Sequence, residues 1–78
     1  MFTIAVFHQS SGKPAKNVAI SVVFWNIFRR ETRWHWSDSE GQVHFDYSAG
    51  GGDVYIKDFW LYSKIHSGDL AGRVVVYI

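Results

Sequence analysis

The side chains that could do chemistry in this sequence are four histidines, seven carboxylates and a dense set of aromatic rings. His8, His35, His44 and His66 show none of the close spacings by which metal-ligand sets announce themselves, so each reads as a solvated surface histidine. His44 stands between Val43 and Phe45, and alternation turns it outward. Asp38, Glu40, Asp46, Asp53, Asp58 and Asp69 are scattered over turns and strand edges, and no pair has a spacing that forces general acid–base geometry. Asp38 and Asp53 read as turn-forming residues. There is no cysteine nucleophile, and the serines lack a nucleophile-elbow context. Gly50-Gly51-Gly52 leads into a strand, whereas a phosphate cradle needs a helix N-terminus behind it, so the run reads as a flexible loop. The expectation is a non-enzyme with no metal and no cofactor.

The aromatic residues are unevenly placed. All four tryptophans fall in two stretches, Phe24–Trp36 and Asp58–His66. Arg29, Arg30 and Arg33 lie among the rings of the first stretch, and arginine interleaved with aromatics can bind single-stranded nucleic acid by stacking. Glu31 interrupts that cluster, and a net charge of +1 gives no field for a phosphate backbone or an anionic bilayer. Neither nucleic acid nor membrane is expected as a partner. No apolar run approaches the roughly 20 residues of a membrane helix. Met1 runs into a strand-like segment without a basic leader, so no signal peptide is expected.

The elements that must position these residues are strands. Phe2, Ile4 and Val6 alternate with smaller or polar residues, as do Val18, Ile20, Val22 and Phe24, then Val43, Phe45 and Tyr47, then Val54 and Ile56, then Val74, Val76 and Ile78. Turn residues punctuate these runs at Ser10–Pro14, Asp38–Gly41, Ser48–Asp53 and Ser67–Gly72. The pattern predicts strands near 2–8, 18–25, 33–37, 42–47, 53–57, 60–65 and 73–78 in one all-β domain spanning 1–78. With 78 residues and no cysteine, the core must be thin and unstapled. If Val18, Ile20, Val22 and Phe24 face that core, Trp25 faces away from it. Trp34 and Trp36 share one face of their strand, inward or outward.

Gly12-Lys13-Pro14-Ala15-Lys16-Asn17-Val18 and Ser37-Asp38-Ser39-Glu40-Gly41-Gln42-Val43-His44-Phe45 together resemble the carboxypeptidase regulatory-like, or transthyretin-like, β-sandwich domains. Gly50–Lys57 is similar to the glycine-then-strand pattern of the same family. The resemblance implies a small Greek-key β-sandwich (transthyretin-like, or prealbumin-like) of about seven strands, acting as a non-catalytic accessory or binding module. It brings no catalytic residues with it. The two aromatic stretches depart from the family pattern, which places polar residues between the second and third strands.

Three readings of the aromatic stretches stand side by side. The rings could fill the core, form a carbohydrate platform in an accessory adhesion module, or grip a partner protein. Trp, Tyr and Arg dominate protein interfaces because each buries a large area and keeps a polar handle. On the last reading the partner-binding residues are Trp25, Ile27, Phe28, Arg29, Arg30, Arg33, Trp34, Trp36, Phe59, Trp60, Leu61 and Tyr62. Self-association through the same patch is a further outcome. Two such patches on an otherwise regular sandwich resemble a natural scaffold re-surfaced as an engineered binder. Small designed binders of this style resemble those made against viral surface glycoproteins, influenza hemagglutinin among them.

Overall fold

The computed structural model describes residues 1–25, 31–47, 50–58 and 61–78, with the backbone alone at Asp58 and Leu61. Its seven strands are β1 (Phe2–Phe7), β2 (Ala19–Phe24), β3 (His35–Trp36), β4 (Gln42–Phe45), β5 (Gly50–Asp58), β6 (Leu61–Leu70) and β7 (Gly72–Tyr77). The all-β architecture with seven strands is the one expected from the alternation. The strands form a three-stranded sheet, β4-β1-β7, and a four-stranded sheet, β3-β2-β5-β6. All pairs are antiparallel except β1 with β7, which run parallel in the register Phe2 to Gly72 through Phe7 to Tyr77.

The alternating apolar sets meet between the sheets. Phe2, Ile4, Val6, Val43, Phe45, Val74 and Val76 come from one sheet, and Ile20, Val22, Phe24, Val54, Ile56 and Leu70 from the other. Phe45 stacks on Phe2 with centroids 5.2 Å apart, and Phe24 meets Phe2 edge-on at 6.1 Å, tying the sheets together. His35 is half-buried rather than solvated, its ring edge-on to Phe45 at 5.0 Å, because pairing with Ile20 gives it the inward side of its strand. His44 is exposed, as alternation required, and hydrogen-bonds Thr3 at 2.8 Å.

Two segments expected to be turns are strand. Gly50, Gly51 and Gly52 lie in β5, opposite Leu70, Asp69 and Gly68 of β6. Asp53 is likewise a strand residue, opposite Val23 and Ser67, not a turn former. The backbone pairing available on the neighbouring strands outweighs the local turn preference of glycine and aspartate. As a result β6 extends to Leu70, which is fully buried, and Ala71 alone separates it from β7 in the other sheet. Gly72, with φ of 62°, makes that corner in a conformation that favours glycine. Between Val54 and Tyr55 the β5–β6 register shifts, so Ile65 is the extra residue of a bulge and packs half-buried against the core.

The turn at 38–41 does behave as its residues predict. One carboxylate oxygen of Asp38 accepts N–H bonds from Glu40 and Gln42, both at 2.9 Å. The Gln42 bond, the Glu40 bond and the nearby His44 hold the Asp38 carboxyl below the ordinary aspartate value. A lowered folded-state value means that the ionised turn is favoured above the unfolded value and loses that contribution as pH falls through the folded one. The protection of the Glu40 and Gln42 amides, measured as exchange relative to the unprotected amide at the same pH, should therefore fall as the pH drops below the ordinary aspartate range. In Asp38→Ala that pH dependence should be gone; if it persists, another group is responsible.

Candidate functional site

The site is built on the outer face of the four-stranded sheet. With Ile20, Val22 and Phe24 of β2 facing the core, Ser21 and Val23 face out. Tyr55 stands opposite Ser21, and Trp36 and Lys57 flank Ala19 on either side. Trp34, two residues before Trp36, shares its face, and Tyr62 stands opposite Lys57. Trp36 of β3 and Trp34 just before it are thus both on the outer side; Trp34 is half-buried and Trp36 is 65% exposed.

β3 and β6 are the two edges of this sheet, roughly 14 Å apart at the usual strand spacing. Long side chains nevertheless close across β2 and β5. The Trp34 and Tyr62 rings meet with centroids 5.5 Å apart and a tilt of 41°. Beneath this arch Ser21 is only 1% exposed although it lies on the outer face. The arch bounds a cleft of about 440 Å³ lined by Ser21, Val23, Glu31, Trp34, Tyr55 and Tyr62. Such a volume falls at the lower end of the range for ligand and side-chain pockets.

Thr32 fixes the rim. Its N–H donates to the Val22 carbonyl at 2.9 Å, and its hydroxyl accepts the Val22 N–H at 2.9 Å. The Ser21 hydroxyl donates to the Thr32 carbonyl at 3.1 Å. A buried side-chain oxygen here stands in for a strand partner, and it sets Glu31, bridged to Val23, at the mouth of the cleft. The Lys57 ammonium lies 5.8 Å from the centroid of the Tyr62 ring.

Trp25 lies beyond the end of β2, half exposed, its N–H donating to the Gly51 carbonyl at 3.0 Å. Its ring covers Gly51 so closely that a Cβ there would sit 2.6 Å from a ring carbon. Gly51 is therefore the seat on which an outward tryptophan rests.

Of the residues singled out from the sequence, Trp25, Trp34, Trp36 and Tyr62 come to this one face, and Arg33 is exposed beside Trp34. Ile27, Phe28, Arg29, Arg30, Phe59 and Trp60 lie outside the described residues, as does the Leu61 side chain. The two aromatic stretches do meet, through Trp34 and Tyr62. Ser21, Val23, Glu31 and Tyr55 were not among the anticipated site residues. The signal for Tyr55 was present, since it alternates with the inward Val54 and Ile56. Among the described residues no three of His, Asp and Glu gather as metal ligands, and no helix is long and apolar enough to cross a membrane. No protein-family model matches the chain, and no curated protein matches it either.

Proposed function

We propose that this chain is a binding module that grips a partner protein through the outer face of its four-stranded sheet. The observation that carries the reading is the Trp34–Tyr62 contact, which joins rings from both aromatic stretches into one surface. Exposed rings extend that surface, with Tyr62 at 63% and Trp36 at 65%. Large rings left in water on so small a domain give up burial that its thin core could use, which argues that their burial comes in a complex. A carbohydrate platform is served by coplanar rings, and the 41° tilt of Trp34 against Tyr62 above an apolar Val23 suits an inserted side chain better. The proposal includes the scaffold: a transthyretin-like sandwich whose outer face was re-surfaced for binding, with a viral glycoprotein such as influenza hemagglutinin as one partner to test.

A random peptide library selected on the immobilised chain tests the reading, with hemagglutinin as a separate named probe. Selected peptides should lose about 30-fold in affinity on Trp36→Ala or Tyr62→Ala, the effect of removing a hot-spot ring. The thermal midpoints should stay within about 3 °C of the parent, since both rings are exposed. Peptides that bind both variants as well as the parent would place the interface elsewhere. Glycan-array hits that vanish on Trp36→Ala would move the site to carbohydrate. A dimer in sedimentation velocity that dissociates in the same variant would make the partner a second copy.

A further inference from the structure

The cleft has a composition that the protein-binding reading leaves unexplained. Three of its six lining residues, Trp34, Tyr55 and Tyr62, are aromatic, and a fourth is the exposed Glu31. An apolar anchor would gain nothing from that carboxylate. A cation would gain from the aromatic and acidic parts of the lining together, because ring faces attract positive charge and a carboxylate neutralises it. The molecule already shows such a contact, with the Lys57 ammonium over the Tyr62 ring at 5.8 Å. Lys57 itself does not line the cleft, and among the described residues no cation pairs with Glu31.

Resting on the protein-binding reading, we infer that the cleft takes an arginine side chain of the partner protein. Its planar guanidinium stacks on the aromatic walls and hydrogen-bonds the Glu31 carboxylate. Arginine fits better than lysine because it is flat, weakly hydrated and forked toward a carboxylate. The buried Ser21 hydroxyl on the floor, already donating to Thr32, keeps acceptor capacity for a guanidinium N–H.

The test is an NMR titration of the ¹⁵N-labelled chain with the blocked tripeptide acetyl-Gly-Arg-Gly-amide and with its citrulline counterpart, which has the same shape and no charge. The arginine peptide should shift the Trp34 indole N–H and the Val23 and Tyr55 amides saturably. Citrulline should bind at least tenfold more weakly. Glu31→Gln, which keeps the backbone bridge to Val23 and changes only an exposed side chain, should weaken arginine binding at least threefold and flatten its salt dependence. Equal binding of both peptides, an unchanged Glu31→Gln variant, or no saturable shift would each overturn the inference. Library peptides that bind this face without a basic residue would overturn it too, while leaving the protein-binding reading standing.

Discussion

Gly41→Ala should lower the thermal midpoint by about 15 °C, a loss of roughly 3 kcal/mol. Two independent costs meet at this residue. Its φ of 74° lies in the left-handed region, where a Cβ costs roughly 1–2 kcal/mol. The site is also closed: an added Cβ would fall 2.5 Å from the Val6 carbonyl oxygen, 3.0 Å from the Ala15 nitrogen and 3.1 Å from the Pro14 Cβ. Two of these neighbours are backbone and cannot rotate away. Moving them would disturb bonds of the same knot, since the Val6 N–H donates to the Gly41 carbonyl at 2.8 Å and the Ala15 N–H to the Val6 carbonyl at 2.9 Å. A calorimetric scan that shifts by less than about 4 °C would show that this turn relaxes freely and is not a fixed point of the fold.

Ser37→Ala should cost nearly as much, about 3 kcal/mol, although only one oxygen is removed. Ser37 is 2% exposed, and its hydroxyl donates to the Ala15 carbonyl at 2.6 Å while accepting the Val18 N–H at 2.9 Å. The strand-like bonds of Asn17 and Ser37 flank the same spot. Alanine leaves a donor and an acceptor without partners, each costing roughly 1–3 kcal/mol where water cannot reach. In urea the midpoint should fall with an unchanged slope, because the surface exposed on unfolding is the same. A loss below about 1 kcal/mol would mean that water enters and replaces the hydroxyl.

What the sequence could and could not convey follows from how far each signal reaches. The alternation of Ile20, Val22 and Phe24 places Trp25 outward, and the structure has it half exposed on Gly51. The same logic fails to decide Trp34 and Trp36, because β3 is only two residues long, leaves Trp34 just outside it, and carries the rings of His35 and Trp36 on opposite faces. Only pairing across β2, which puts Ile20 opposite His35, settles the matter. Gly50–Gly52 and Ser67–Leu70 look like turns because glycine preferences are local; each segment is extended because the other lies beside it. The cleft was not legible at all. It depends on side chains from both sheet edges meeting over the middle strands, an event with no sequence spacing to mark it. The parallel contact of β1 with β7 is silent for the same reason.

That parallel contact has a mechanical meaning. β1 and β7 point the same way, so tension applied between the two ends of the chain draws the strands past each other lengthwise. Their bonds, with Ile78 N–H to the Phe7 carbonyl and Gln9 N–H to the Ile78 carbonyl continuing the ladder, then bear load together and not one after another. Pulled from its ends, this small two-sheet fold is clamped rather than unzipped.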